Sequence, residues 1–358
     1  MRASSRPILT FGKSVAADSR CVQSVLMSID VAVFPASDEA TAREAIQVDR
    51  AAFEYQTPDI PYSPEDFVLE SWRNPFPGHR SIRAVARLDG RAVGYVALGL
   101  PLLDNLELAS LDLNVLPDFR RRGVGRAMLD FAIEQARAEG RKHLTSETVQ
   151  TRPDGDAFAA AQGAKAALPE TRSRLDLTTV DQDRYDRMLA EAWTHADGYR
   201  VVSWVGMPAE EYLDAIAYLD GRMVQDAPMG DLTIEPEKVD ADRIRKSEQN
   251  RLDRGIDRFH TGVVHEATGR MVAWTTLSGP PALETHIWQH ITIVDPDHRG
   301  HRLGMIVKLE NLRHTLAHKP ALTAIDTFNA TANDFMLSIN REMGFRAADT
   351  WMQWELAI

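Results

Sequence analysis

The sequence predicts a mixed α/β protein made of two tandem copies of one fold, each a mixed sheet flanked by helices. Three observations carry that expectation: the length, an internal repeat, and a shared order of elements. At 358 residues and 40.0 kDa the chain exceeds one domain of roughly 100 to 200 residues and suits two. Val115-Leu-Pro-Asp-Phe-Arg120-Arg-Arg-Gly-Val-Gly125 and Val294-Asp-Pro-Asp-His-Arg299-Gly-His-Arg-Leu-Gly304 share Val, Pro, Asp, Arg and Gly at matching offsets, 179 residues apart. Each half then runs apolar strand, Pro-containing turn, Gly-containing loop, amphipathic helix, strand and short helix, the order of a mixed α/β unit.

In the first copy, Ala127, Met128, Phe131 and Ala132 recur on one helical face and Gly140 stops the helix. A strand from His143 to Val149 follows, and a short Ala-rich helix ends between Phe158 and Gly163. In the second copy Leu303, Ile306, Val307 and Leu316 mark the corresponding helix, Pro320 precedes a strand expected over Ala321 to Phe328, and Ile339-Asn-Arg-Glu-Met-Gly344-Phe345 ends the last short helix. Trp204 to Met223 reads as a helix opening at Pro208 and starting that copy. A hairpin from Phe259 to Leu277 turns at Thr268-Gly269 and feeds a strand from Leu283 to Val294. The expected division is 1–29 as an extension, 30–178 and 199–358 as the two copies, and 179–198 as a polar, acid-rich joint.

Composition narrows the function. With 41 Lys and Arg against 52 Asp and Glu, the net charge of -11 disfavours nucleic acid and favours a cationic or amine-bearing partner. No segment approaches the roughly 18 apolar residues of a membrane helix. The single cysteine, Cys21, forms no internal disulfide, which points to a reducing cytoplasm. Residues Met1 to Met27 are basic and serine-rich without the apolar block of a secretory signal, so they read as an extension or as the product of an early start codon, with Met27 the alternative start. His314 and His318 have helical i, i+4 spacing but lack the glutamate and cysteines of zinc sites, so no metal is expected.

The loop Arg120, Arg121, Arg122, Gly123, Val124, Gly125 lies between a strand and a helix. It therefore aims backbone N–H groups and a positive helix end at one point, a site for phosphate or pyrophosphate. An ordinary glycine turn with solvated arginines is the competing reading. A P-loop would need Gly-Lys-Ser/Thr and a dinucleotide fold a third glycine; the chain has Arg126 and Met128 there in one copy, Met305 and Val307 in the other.

These residues resemble the GNAT superfamily of acyl-CoA-dependent N-acetyltransferases, whose hallmark is Gln/Arg-x-x-Gly-x-Gly/Ala after a Val-x-Pro turn, with a Gly-Phe end to the fourth helix. Val115-Leu-Pro117, Val294-Asp-Pro296 and Gly344-Phe345 match, and the resemblance covers residues 30–358. The layout is similar to that of the mycothiol-synthase-like, two-domain members of actinobacteria. The resemblance implies acetyl-CoA as acyl donor. Its pyrophosphate would lie on Arg120 to Gly125 with Val115 before them, or on Arg299, Gly300, His301, Arg302, Leu303 and Gly304, and its pantetheine arm beside Thr292, Ile293 and Val294. Asn333 would contact the cofactor or cap a helix.

The chemistry needs a deprotonated amine and a donor to the carbonyl oxygen. Alternation puts Glu284, His286, Trp288, His290, Thr292 and Val294 on one strand face. His290 and Trp288 stand where family members carry the base or its water relay, so His290 is the expected base, with a buried core histidine as the alternative. Their equivalents at a constant offset are Leu111 and Ala109, which leaves Glu107 and Glu147 as the nearest acids of the first copy and places the chemistry in the second. Against this, Arg302 replaces the first motif glycine, tolerable if its dihedrals are helical and otherwise a block to CoA. Asn340 and Ala159 stand at the position of the family's tyrosine acid; Asn340 donates a hydrogen bond but no proton. The expected function is acetyl transfer to a small-molecule amine by a monomer or homodimer. A non-catalytic acyl-CoA-binding module and transfer to a protein amine are the alternatives.

Overall fold

The computed structural model describes residues 28–358; Cys21 and the alternative start at Met27 lie outside the described residues. The first half runs β1 (Ile29–Val33), α1 (Glu39–Gln56), α2 (Glu65–Arg73), β2 (His79–Leu88), β3 (Arg91–Pro101), β4 (Leu108–Val115), α3 (Val124–Ala138), β5 (His143–Val149), α4 (Asp154–Ala161) and β6 (Lys165–Asp176). Then follow α5 (Gln182–Trp193), β7 (Tyr199–Val205), α6 (Leu213–Gly221), the single turn α7 (Met223–Asp226), α8 (Ala241–Asp253), β8 (Asp257–His265), β9 (Arg270–Gly279), β10 (His286–Val294), α9 (Leu303–His318), β11 (Ala324–Ala330), α10 (Asp334–Met343) and β12 (Arg346–Ala357).

Local chemistry explains these boundaries. In α3, Met128, Leu129, Ala132 and Ala136 form one buried stripe, and Gly140, at φ +72°, ends the segment in a conformation that costs glycine little. β5 spans the expected residues, whereas β11 begins at Ala324, because Lys319 to Thr323 form a turn after Pro320. The second half opens on strand β7 before its first helix, and Ile29, assigned to the extension, already belongs to β1. The expected joint 179–198 is instead mostly α5, whose Tyr185, Leu189 and Ala192 are buried against α9. Its apolar residues recur at helical spacing beneath an acidic composition, and that spacing outweighs the charge.

All twelve strands form one sheet in the order β1-β2-β3-β4-β5-β12-β6-β11-β10-β9-β8-β7. The last strand of the chain lies between β5 and β6, and β6 in turn pairs with β11. The two halves have exchanged their closing strands, so the division at 178 and 199 describes chain order and not the sheet. Helices cover both faces, giving four apolar clusters: α3 and α1/α2 on the first half, α9/α5 and α6/α8 on the second. A fifth, of Ile60, Val149 and Trp351 with Trp288 and Phe328 against them, spans the junction. Each large side chain buried this way contributes roughly 1.5–3 kcal/mol.

The exchange is fixed by charge. Arg172 of β6, 1% exposed, donates to Asp349 of β12 and to Asp326 of β11 at 3.1 Å, and reaches Asp59 at 2.8 Å. Arg174 bonds Asp326 at 2.7 and 2.5 Å, and His286 Nε2 lies 3.0 Å from the same carboxylate. Burial raises the Asp326 pKa, but the bonds from Arg174 and His286 and the two guanidinium charges outweigh it and hold it at about 2. Asp326 therefore contributes stability that is complete above the ordinary carboxylate pKa near 3.8 and is lost as pH falls through about 2. Arg172→Ala, which strands Asp326 and Asp349 without their shared cation, is expected to cost about 3–5 kcal/mol in denaturant unfolding. A change below about 1 kcal/mol would show that the network does not hold the strands.

Candidate functional site

Each half presents a strand, a loop and a helix N-terminus built the same way. The first loop takes left-handed backbone at Arg121 (φ 61°) and Gly123 (φ 89°); the second takes it at the corresponding Gly300 (φ 87°) and Arg302 (φ 57°). Glycine and arginine have traded places on one backbone path. The helical dihedrals on which tolerance of Arg302 was made conditional are not adopted; the residue is left-handed, as Gly123 is at the same place in the first loop. No side chain caps the N-terminus of α3 or of α9, so their first-turn N–H groups face the loop. Val124 and Leu303 are buried and offer only backbone, and a Cβ on Gly125 or Gly304 would press on Phe158 at 3.4 Å or Ile339 at 3.3 Å. Val115 packs beneath α3.

The charges around the loops differ. Tyr55 is flanked by the guanidiniums of Arg120 and Arg152, at 4.8 and 4.7 Å from its ring, and Phe119 by those of Arg91 and Arg122, at 4.7 and 5.1 Å. Arg120 also meets the exposed Asp154, while Arg121 and Arg122 pair with no carboxylate among the described residues. In the second loop Arg299 is paired with Asp226 at 2.9 Å, Arg302 lies near Glu191 and Glu342 at 3.6 and 3.7 Å, and His301 contacts the His195 carbonyl at 3.0 Å. The first loop keeps more positive charge free for an anion.

Behind each loop the sheet splays. β4 pairs with β5 only over Leu108–Ser110 against His143–Thr145, and β10 with β11 only over His286–Trp288 against Ala324–Asp326. Beyond those pairs the facing backbone edges are free to bond an extended ligand. In the second half Thr327 Oγ1 donates to the Gln289 carbonyl at 3.3 Å and takes up one of those acceptors.

The first cleft is lined with carboxyl groups that the sequence reading passed over. Ser110, Asp112 and Asn114 share the face of β4 turned toward α1, where Asn114 Nδ2 bonds both Asp49 and Asp112 at 2.8 Å, and Tyr62 Oη donates to Asp49 at 2.7 Å. Asp112 meets solvent inside the cleft while protein surrounds it. Burial, then the charges of Asp49 and Glu147, push its pKa up to about 8. Asp49 and Glu147 are likewise raised by burial. The signal was legible, since polar residues at 110, 112 and 114 alternate with Leu111 and Leu113.

The reason for passing over Asp112 is a β-bulge. β3 and β4 pair without interruption and set Asp112 opposite Ala97, whereas β9 and β10 shift register between Gln289 and Thr292, so His290 and Ile291 together face Thr276, the repeat counterpart of Ala97. His290 thus corresponds in space to Asp112, not to Leu111. The bulge also corrects the single face expected for β10. Thr292 bonds Thr275 at 2.7 Å and Val294 packs toward α9, while Ile293 lies under α6 and α8.

The other expected site residues scatter. Trp288 stacks on Phe328 in the junction cluster, with ring centroids 6.0 Å apart. Asn340, 1% exposed, donates its amide to Asn329 at 2.8 Å, and Asn333 caps α10 by accepting from Met336 N–H at 3.2 Å, the capping alternative. His290 lies in its own cleft, where burial and then the charges of Arg258 and Arg251 lower its pKa to about 4. Its side chain still meets solvent within that cleft, and the lowering favours the neutral imidazole and weakens it as a base.

Comparison with known proteins agrees with this geometry. Residues 45–163 match the model of the acetyltransferase (GNAT) family. The chain is 30% identical to a tandem GNAT protein from the clavulanic acid biosynthesis pathway, over 92% of this chain and 98% of that one, with a TM-score of 0.76. A GCN5-related N-acetyltransferase from Sphaerobacter thermophilus has the same fold at 14% identity, over 92% and 95% of the two chains, with a TM-score of 0.64. A comparison with curated proteins found no match. Among the described residues no group of three or more His, Cys, Asp or Glu is placed to hold a metal, and no helix is long and apolar enough to cross a membrane.

The contrast between the clefts is open to titration. His290 followed by NMR is expected to stay neutral from pH 8 down to about 5 and to protonate near 4. A midpoint at the ordinary histidine value near 6.5 would show that Arg251 and Arg258 do not act on it.

Proposed function

Since the chain belongs to the GNAT acetyltransferase family, as a tandem of two such folds, we propose that it transfers an acetyl group from acetyl-CoA to the nitrogen of a small cationic amine in the first cleft. This moves the chemistry from the second half, where sequence reasoning had put it, to the first. The observation that carries the reading is the place of Asp112 on the splayed edge of β4, sharing Asn114 with Asp49 and standing eight residues before the better-charged loop, where burial and neighbouring acid charge push its carboxyl up.

The residues fit the donor. The N–H groups at the start of α3 and the guanidiniums of Arg120, Arg121 and Arg122 suit a pyrophosphate. The Tyr55 and Phe119 platforms add cationic faces beside it, and the free edges of β4 and β5 suit an amide-bearing arm. When bound, acetyl-CoA supplies an activated acyl carbon.

The remaining work falls to the acids. Asp49, Asp112 and Glu147 together attract an ammonium group, and its charge in turn favours ionised Asp112. Asp112 then accepts the ammonium proton, freeing the nitrogen lone pair for attack as the carbon–sulfur bond breaks. The nitrogen sheds a second proton as the carbon–sulfur bond breaks and the departing thiolate takes it up, so each turnover yields the amide, the CoA thiol and one proton that Asp112 returns to water. A carboxyl of ordinary pKa near 4 would be a poorer base for this step than one near 8.

Asp112→Asn is expected to lower kcat by ~10²–10⁴ with little change in acetyl-CoA affinity. In the wild type kcat/KM rises with pH through a bend near 8, because the basic form of Asp112 is the active one, and the bend is absent from the variant. A wild-type rate in Asp112→Asn would remove the assignment. Calorimetric titration of acetyl-CoA into Gly123→Trp, which fills the first loop, is expected to lose the site that turnover depends on. Retained turnover would return the chemistry to His290 and the second half.

A further inference from the structure

A cavity of about 150 Å³ lies where the second half meets the first, between α8, β8, β9 and the segment after α2. That is near the size of an engineered cavity that holds benzene, so it has room for a small organic molecule. Its apolar wall includes Phe76, Val239, Ile244 and Trp274; its polar wall includes Arg258, Arg251 and Arg243 with the acids Glu248, Asp220 and Glu237. The first half closes it: Asn250 Nδ2 bonds Asn74 at 3.0 Å and the Pro75 carbonyl at 3.1 Å, and the guanidiniums of Arg251 and Arg254 lie 4.6 and 5.2 Å from the Phe76 ring.

The polar wall is unbalanced. Arg258 and Glu248 are 7% and 3% exposed, and both Arg258 Nε and Arg251 Nη1 approach the same Glu248 oxygen, at 3.3 and 3.2 Å. One carboxylate serves two guanidiniums, Arg258 Nε makes no well-aligned hydrogen bond, and Arg254 Nε has no partner. Asp220, also on the wall, acts on both guanidiniums through its charge but forms no ion pair with either among the described residues. Arg243, the remaining arginine, is already paired with Asp104 and Glu237. Arg258, buried, and Arg251, 22% exposed, thus share one oxygen of Glu248, and Arg258 Nε is left unpartnered beside a space lined on its far side by aromatic and aliphatic carbon.

We propose that this cavity binds a small carboxylate-bearing molecule, its carboxylate bridging Arg258 and Arg251 and its carbon chain lying against Trp274, Ile244 and Phe76. A guanidinium fork matches a carboxylate in two parallel bonds, and the enclosed site strengthens them. The site is separate from the proposed acetyl-transfer cleft, and because Phe76, Pro77 and His79 of the first half line it, its occupancy bears on how the halves meet.

Propionate and its neutral isostere propionamide are the probes, titrated into the full chain by NMR, with acetyl-CoA binding measured on each protein as an independent check of the first cleft. Propionate is expected to saturate the wild type, with propionamide at least roughly tenfold weaker. Arg258→Gln is expected to weaken propionate by a similar factor. Glu248→Gln, which removes the competing carboxylate, is expected to tighten it several-fold and serves if the arginine variant does not fold. Bound propionate should also move the His290 midpoint upward, because it neutralises the guanidiniums that lower it. Equal affinity for the two probes, no saturable binding, or weaker binding in Glu248→Gln would each overturn the proposal while leaving acetyl-CoA binding as it was.

Discussion

The guanidinium of Arg172, closed in between β6, β11 and β12, is the constraint on which the rest of the sheet depends. An arginine this deep is costly unless carboxylates meet it, and Asp326 and Asp349 stand on strands that come from the far end of the chain. Pairing β6 with β12 and β11 satisfies the charge; pairing each half's strand with its own half does not bring these groups together. An apolar trio of the same volume could pack as well, so the network contributes register and partner choice more than net stability. Both clefts inherit their shape from it, because β5 and β11, the strands that diverge from β4 and β10, are each clamped on their other edge by an exchanged strand.

On that shared frame the two halves have been given opposite electrostatics. The backbone is conserved to the level of two left-handed residues per loop, and the residue at the fork of each cleft is titratable in both. What differs is the company: carboxylates gather around Asp112 and arginines around His290. From equivalent positions the surroundings raise a carboxyl in one cleft and lower an imidazole in the other. The duplication preserved the fold while the side chains facing the clefts diverged, as expected where function resides in sites and not in folds.

Much of this was legible in the sequence, and the exceptions have physical causes. The repeat, the loops, the α3 stripe of Met128 and Ala132 and the limits of β5 follow from periodicity and glycine placement, which are local properties. The strand exchange did not, because β6 and β12 hold equivalent places in their own copies and only the distant partners of Arg172 distinguish the pairings. The bulge at His290 and Ile291 was equally hidden: no glycine or proline marks it, and one extra residue shifts every later side chain on β10 to the other face. A constant offset between the copies then pointed to Leu111 and away from Asp112. Polar alternation along β4 held the better clue, available without any comparison between copies.

The position of β12 also bears on the order in which the protein can be made. Trp354 and Gln353 reach back 206 residues to bond Thr148 and Glu147, so the edge of β5 stays bare until β12 has been synthesised. While it remains inside the ribosome the first half presents an unpaired strand next to Glu147, the kind of edge that recruits other chains. Completion of its cleft awaits the emergence of β12. A ribosome that stalls before β12 would therefore leave a polypeptide with every residue of the first repeat and an unfinished first cleft.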